Sequence, residues 1–486
     1  MAMAVTMEVG NDGVAVISIS NPPLNIINAA MLAALKEKFG EATRRRDVKA
    51  IVLTGKGGRF SGGFDINAFQ NPSGDTSDRT IESIDLVLNT IEGAASSIMS
   101  ASVLKKDAVH AREILSNCKK PVVAAIEGLA LGGGLELAMG CHARIAAPKT
   151  QLGLPELTLG VIPGLGGTQS LPRLVGVSKA IEMMLFSKPI MSEEGKLLGL
   201  IDEIATSEEL VRVSRLHALE ISDGRKSWVR SLHRTDKVGS LSEAQELLRT
   251  AREQAKRTAP NMPQHLACLD AVEEGLLHGG YKGLLKEAAV SKELVQSNTT
   301  KALTHLFFSQ RATAKVPNIT DVGLKPNHVK KVGIIGGGIM GSGIATSLIL
   351  SNITVFLKEI NSEYLLKGMK TVEGGYYIDT LSNIQSLVAR GKVTQDKARK
   401  ALSMLEGVSD YSEFKEMDMV IEVGYFAVIE DIPLKQEIFS ELEKVCSYCC
   451  ILATNTSSID LNVIGEKTKS QDRIIGAHFF RLLNLF

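Results

Sequence analysis

The sequence predicts an α/β protein built from two separate strand-and-helix domains joined by a helical stretch, and three observations carry that reading. The first is the apolar run Pro121 to Ile126 leading through Gly128-Leu-Ala-Leu-Gly-Gly-Gly-Leu-Glu136 into the helical pattern Leu135 to Met139. The second is a similar junction at Gly336-Gly-Gly338-Ile-Met-Gly341, which follows the apolar run Lys331 to Ile335 and opens a helix over Met340 to Leu350. The third is the almost wholly helical pattern of 207–310, which separates them.

In chain order, Thr6 to Val9 and Val14 to Ile19 alternate as half-buried strands, joined across the turn Gly10-Asn-Asp-Gly13. Ala29 to Phe39 has helical periodicity, and Ala50 to Thr54 is an apolar strand leading into Gly55-Lys-Gly-Gly-Arg-Phe-Ser-Gly-Gly-Phe-Asp65. Asp65 reads as the N-cap of a short helix over Ile66 to Phe69. Helices are expected over Thr80 to Ile98 and Val103 to Leu115. At the first glycine junction the backbone can approach a ligand closely, and the free N–H groups of a new helix point at any negative oxygen in front of it. Glu136 falls in the first helical turn, and a second carboxylate follows in Leu154-Pro-Glu156. Two Glu residues whose pKa values are driven apart can divide acid and base work, whereas one first-turn Glu alone is no more than a partner of the helix dipole.

Further on, Ala180 to Phe186 and Ser192 to Leu198 read as helices, the second capped by Ser192, and Ile201 to Ala205 closes the first domain. The charged stripes of 207–310 read as a solvated face, broken at Pro260-Asn-Met-Pro263. Val316-Pro-Asn and Gly323-Leu-Lys-Pro326 mark a linker. Boundaries are therefore expected at 1–206, 207–326 and 327–486.

In the second domain, Ile353 to Glu359 is a strand ending in an acid. With Gly336, Gly338 and Gly341 as the Gly-x-Gly-x-x-Gly of a βαβ unit, Glu359 stands near the spacing of a ribose-binding carboxylate, which predicts a Rossmann fold and NAD rather than NADP. Asp418 to Glu422, Cys450 to Ser458 and Arg473 to Phe480 each read as a strand delivering polar residues to its carboxyl end, where open α/β sheets bind ligands.

A formal charge of +1 over 486 residues argues against a nucleic-acid or membrane-surface footprint. The six cysteines do not form a disulfide or zinc framework, so no metal site is expected. The uncharged run Val332 to Leu357 is long enough to span a bilayer, but its glycines and periodicity favour strand-turn-helix-strand, and no membrane span is expected.

Gly128 to Ala138, Cys141-His-Ala-Arg-Ile-Ala and Gly153-Leu-Pro-Glu156 through Gln169 resemble the crotonase (enoyl-CoA hydratase/isomerase) family. That resemblance implies a ββα-spiral fold, Glu136 and Glu156 as the acid/base pair, and Gly62 and Gly133 as backbone donors to a thioester oxygen. The second half resembles the 3-hydroxyacyl-CoA dehydrogenase family, which implies His478 as the proton acceptor and Ser457 as a contact to the substrate oxygen. The combination resembles the plant peroxisomal multifunctional proteins of fatty-acid β-oxidation. It implies hydration of trans-2-enoyl-CoA coupled to NAD-dependent oxidation of the 3-hydroxyacyl-CoA, acyl-CoA partners, and a peroxisomal or glyoxysomal location, though Asn484-Leu-Phe486 is not a Ser-Lys-Leu type of address. A Δ3,Δ2-enoyl-CoA isomerase and a non-catalytic CoA- or NAD-binding product are the alternatives. Four departures are expected from the resemblance: an overlong 71–119, a break at Gly374 to Ser382, an insertion at Val423 to Phe426 that displaces Glu430, and an end at Phe486 ahead of the family's helical dehydrogenase domain, which would leave the oxidation step doubtful.

Overall fold

The computed structural model describes residues 3–69, 120–325, 327–374, 383–389, 391–424 and 431–479. The helices expected over Thr80 to Ile98 and Val103 to Leu115 lie outside these residues, as do Glu430 and the greater part of the expected break and insertion. The chain forms two compact units, Met1–Asn318 and Ile319–Phe486.

The first unit is built on strands β1 (Ala4–Val9), β2 (Val14–Ser20), β3 (Ala50–Gly55), β4 (Val122–Ile126), β6 (Ala143–Ala146) and β9 (Glu203–Ile204), side by side in that order. The expected hairpin makes β1 and β2 antiparallel, and all later pairs are parallel. A parallel strand covered on both faces is apolar throughout, and β3 is so: Ile51 and Leu53 enter one core cluster while Ala50 and Val52 enter the other. A second, small sheet, β5 (Leu129–Leu131), β7 (Gln151–Gly153) and β8 (Ile190–Met191), stands beside the glycine junction.

Helices α1 (Ala29–Arg44), α2 (Gly133–Gly140), α4 (Val177–Leu185), α5 (Ser192–Leu198) and α6 (Leu210–Ser222) overlap the stretches that read as helical, whereas α3 (Gly167–Val175) falls outside those expectations and α5 begins differently. Ser192 does not cap it. The Ser192 hydroxyl is buried and donates to Ala147 O at 2.8 Å, so Met191 takes the cap position. Asp65 accepts from Asn67 N at 3.0 Å and caps a short 3-10 turn as expected.

The helical stretch resolves into α7 (Leu241–Thr258), α8 (Pro263–His278), α9 (Gly280–Val295) and α10 (Asn298–Ala312). Ser240 and Glu243 close a reciprocal capping box on α7, and Pro263 starts α8 where its missing N–H costs nothing. These helices belong to the first unit: Ala244, Leu248, Cys268, Leu269, Val272 and Leu294 join its main core. Trp228 lies edge-on to His142, with ring centroids 5.9 Å apart.

The second unit is a six-stranded, fully parallel sheet of β10 (Lys331–Ile335), β11 (Thr354–Lys358), β12 (Leu405–Val408), β13 (Met419–Glu422), β14 (Ile451–Thr454) and β15 (Ile474–Gly476). Its spatial order, β12-β11-β10-β13-β14-β15, is the doubly wound dinucleotide order. The strand order reverses beside β10, which opens a crevice at the carboxyl ends of β10 and β13. Helices α11 (Ile339–Leu350), α12 (Ser362–Glu373), α13 (Ile384–Ala389), α14 (Gln395–Leu402), α15 (Ile432–Val445) and α16 (Leu461–Ile464) are distributed over two apolar clusters, one on each face of the sheet.

Candidate active site and dinucleotide site

The first site forms where β5 turns into α2. Gly132 holds φ +52°, and a Cβ there would stand 2.8 Å from Glu156 Oε1, so glycine is required both by the backbone and by the neighbouring carboxylate. Residues Ser61 to Phe64 run beside this turn. Ser61 N–H donates to Leu129 O at 3.1 Å and Leu131 N–H donates to Ser61 O at 3.0 Å, which lashes the segment to β5.

This arrangement corrects the expected pair of donors. Gly62 N–H already donates to Leu24 O at 2.7 Å, and Gly63 N–H donates to Ser61 Oγ at 3.1 Å, so neither can serve a ligand. Ile27 pairs with the next residue, exchanging bonds with Gly63 O and Asp65 N–H, and leaves Phe64 N–H with no acceptor among the described residues. Gly133 N–H, at the start of α2, has none there either. The Phe64 ring lies over Gly133, where a Cβ would come within 2.1 Å of Cε2. The available donors are therefore Phe64 and Gly133.

Glu136 is 2 % exposed. Its Oε1 accepts from Leu165 N–H and Gly167 N–H, each at 2.8 Å, while Oε2 is buried without a partner. Burial pushes its pKa up to about 7, and the backbone donors of Gly164, Leu165 and Gly167 oppose that rise. Both carboxylate oxygens of Glu156 are buried without partners as well. Burial first, then the charges of Glu136 and Glu287, hold Glu156 well above the carboxylate range. Three buried oxygens without hydrogen-bond partners thus belong to two carboxylates whose charges act on one another, at the junction where the N–H groups of Phe64 and Gly133 have no acceptor among the described residues.

Sequence reasoning missed the third carboxylate. Glu287, on α9, is 1 % exposed and accepts from Gly166 N–H at 2.6 Å, Thr168 N–H at 3.0 Å and the Thr168 hydroxyl. Only packing reveals it: Gly283, Glu287 and Leu294 are the buried positions of α9, and an acid in such a stripe calls for donors.

The second site opens between β10 and α11. Gly336 takes φ +105° as its N–H donates to Lys358 O at 2.9 Å. Gly341 has no room for a side chain, since a Cβ would lie 1.8 Å from Gly336 O. Gly338 caps α11 and has open space where a Cβ would be, which suits close approach of a pyrophosphate to the helix N-terminus. Glu359 Oε1 accepts from Gly337 N–H at 2.5 Å, which fixes the acid beside the glycine turn, and the Lys358 ammonium lies 4.4 Å from the Tyr411 ring centroid. These residues fit an adenine dinucleotide. Ser457 follows β14 and His478 follows β15, both exposed, and Phe479 N–H donates to Asn455 Oδ1 at 2.6 Å, tying the two strand ends together. Among the described residues no group of three or more His, Cys, Asp or Glu could hold a metal ion, and no helix is long and apolar enough to cross a membrane.

Comparison with known proteins agrees with this geometry. The enoyl-CoA hydratase/isomerase family model matches residues 9–93 and 89–247, and that of the 3-hydroxyacyl-CoA dehydrogenase NAD binding domain matches 331–485. A peroxisomal fatty acid beta-oxidation multifunctional protein of Arabidopsis thaliana is 61 % identical over 98 % of this chain and 62 % of its own length. One of Oryza sativa is 58 % identical over 99 % and 61 %, and a glyoxysomal protein of Cucumis sativus is 53 % identical over 98 % and 61 %. The chain thus spans about three fifths of the length of these relatives. A unit matching the enoyl-CoA hydratase/isomerase model is thus followed by one matching the 3-hydroxyacyl-CoA dehydrogenase NAD binding domain, and over nearly its whole length the chain is similar to plant peroxisomal fatty acid beta-oxidation multifunctional proteins.

Proposed function

We propose that the first unit hydrates trans-2-enoyl-CoA thioesters and that the second takes the resulting 3-hydroxyacyl-CoA to the 3-ketoacyl level with NAD. The observation that carries the hydratase reading is the pair of coupled, buried carboxylates with unpartnered oxygens beside the N–H groups of Phe64 and Gly133. An isomerase needs only one carboxylate to carry a proton between carbons. Two favour the addition of water.

The thioester oxygen accepts from Phe64 N–H and Gly133 N–H, so the charge that develops as water adds meets two fixed donors, each worth about 3 kcal/mol in such sites. Glu136, held toward its ionised form by the N–H groups of Leu165 and Gly167, takes the proton of a water directed at C3. Glu156 has no such donors and faces the negative charge of Glu136, so it is the member that stays protonated and delivers its proton to C2. The cycle closes when the proton gained by Glu136 returns to Glu156 through solvent.

In the second unit, Gly336, Gly338 and Gly341 shape the phosphate turn, and Glu359 accepts from the adenine ribose, which disfavours a 2′-phosphate. NAD held by these residues would supply the hydride acceptor for C3. His478 takes the hydroxyl proton and Ser457 orients the oxygen. By kinship with relatives named peroxisomal and glyoxysomal, we assign the chain to that compartment.

The test is the loss of enoyl-thioester absorbance on adding the 486-residue chain to crotonyl-CoA. Hydration supports the reading. Conversion of a 3-enoyl-CoA without hydration of the 2-enoyl isomer would replace it with the isomerase.

A further inference from the structure

Four consecutive backbone N–H groups, Leu165 to Thr168, are shared between two buried carboxylates in strict alternation. Leu165 and Gly167 donate to Glu136 Oε1, whereas Gly166 and Thr168 donate to Glu287. The Thr168 hydroxyl adds a further bond to Glu287, and Gln169 Nε2 donates to Thr168 Oγ1 at 2.9 Å. Successive peptides along this turn point to opposite sides, so a force on one set of N–H groups is felt by the other. Glu136 and Glu287 reach it from α2 and α9, elements that are far apart in sequence. Gly167 leaves no room for a side chain, because a Cβ there would lie 2.6 Å from Glu136 Oε1.

We propose that Glu287 is a positioning residue of the hydratase site: by holding Gly166 and Thr168 from one side, it fixes the turn whose Leu165 and Gly167 amides orient Glu136 from the other. The proposal rests on the hydratase reading above and extends the site beyond residue 247, where the match to the enoyl-CoA hydratase/isomerase model ends. The helices of 263–295 are then working parts of the first site. Charge links the groups as well as geometry. Burial pushes Glu287 up to about 8, with the charge of Glu136 adding to that rise, and the charge of Glu287 in turn raises Glu156. Among the described residues Cys268 on α8 also feels Glu287, and its thiol is pushed up by burial and so stays neutral at the pH of an assay. Removing the charge at 287 should therefore lower the pKa of Glu156 and shift the alkaline limb of the activity profile, set by the loss of that proton, to lower pH.

The experiment compares the unsubstituted chain, Glu287→Ala and Glu287→Gln for hydration of crotonyl-CoA. Glu287→Ala, which leaves the Gly166 and Thr168 donors buried and unmet, should lower kcat by about 10-fold to 100-fold with KM within about 2-fold. Glu287→Gln restores an acceptor for Gly166. It should recover most of kcat while its alkaline limb still moves to lower pH, a displacement that a merely structural role would not produce. Should the Ala variant fail to fold, Glu287→Gln decides alone through that limb. Amide exchange at Leu165 to Thr168 is measured on the same samples, and faster exchange in Glu287→Gln is expected. Normal kcat with an unmoved pH profile in both variants would overturn the proposal, and so would unchanged exchange at these amides, even if the unsubstituted chain proved not to hydrate crotonyl-CoA. That last result would count against the function and leave the positioning claim to the exchange data.

Discussion

Replacing Glu136 with Gln should make the protein more stable and much less active. The Gln carbonyl can take the place of Oε1 and accept from Leu165 and Gly167, so the turn keeps its bonds. What is lost is the negative charge, which burial disfavours. A carboxyl whose pKa is higher folded than unfolded binds more protons in the folded state, so stability is greatest below its unfolded value and falls as pH rises through the folded one. For Glu136 the window runs from 4.5 to about 7. At about 1.4 kcal/mol for each tenfold change, the cost of ionising this group above pH 7 is about 3 to 4 kcal/mol, an upper bound because Glu156 and Glu287 titrate under the influence of its charge. At roughly 2 °C per kcal/mol for a unit of this size, Glu136→Gln should raise the midpoint of the first unit by up to about 7 °C at pH 8 and leave it nearly unchanged at pH 4.5. Relief of the repulsion on Glu156 and Glu287 acts in the same direction. Meanwhile kcat for crotonyl-CoA should fall by about 10² to 10⁴, the usual contribution of a general base. Thermal unfolding at the two pH values, with hydration measured on the same sample, checks both halves. Equal midpoint shifts at pH 4.5 and pH 8 would refute the electrostatic argument, and hydration within about tenfold of normal would refute the role of Glu136.

Two further outcomes follow from the geometry. Gly133→Ala brings a Cβ to 2.1 Å from the Phe64 ring, so the ring must move and both free N–H groups lose their aim; kcat should fall by about 10² to 10³ with little change in KM, and steady-state hydration kinetics test it. In the second unit, calorimetric titration should show NAD binding more tightly than NADP, and Glu359→Ala should narrow the gap by weakening NAD, whereas equal affinities in the unsubstituted chain would show that the acid anchored to Gly337 does not read the ribose.

The parts of the fold legible in the sequence were those in which one residue type answers one local need. The glycines at 132, 336 and 341 were readable because positive φ or absent space admits nothing else. Strands β1 to β4, β10, β11, β13 and β14 were readable because they are apolar runs four to seven residues long beside turn signals or helical periods, whereas β5 to β8, β12 and α3 were not read. The identity of the first backbone donor was not. Whether Gly62, Gly63 or Phe64 presents a free N–H depends on pairing with Leu24 and Ile27, and such register is set by tertiary contacts about 40 residues away in sequence. Glu287 was hidden for a related reason: among the many charged residues of 207–310, only packing distinguishes the acid that faces inward from those that stay in solvent. Ser192 resembled a cap because its side chain suits one, but a carbonyl across the fold, Ala147 O, claimed its hydroxyl.

The chain has a single tryptophan, and it stands edge-on to His142 in the first unit. Burial, helped by the charge of Arg230, lowers the His142 pKa to about 3, so the imidazole beside the indole is neutral across the working pH range and cannot quench as a cation. The indole that gives intrinsic tryptophan emission therefore lies within Met1–Asn318, and Ile319–Phe486 contains none. The molecule carries a built-in optical label for one of its two halves, so a change in indole fluorescence during denaturation dates the opening of the hydratase-type unit without any dye, while unfolding of the dinucleotide unit has to be followed by another signal.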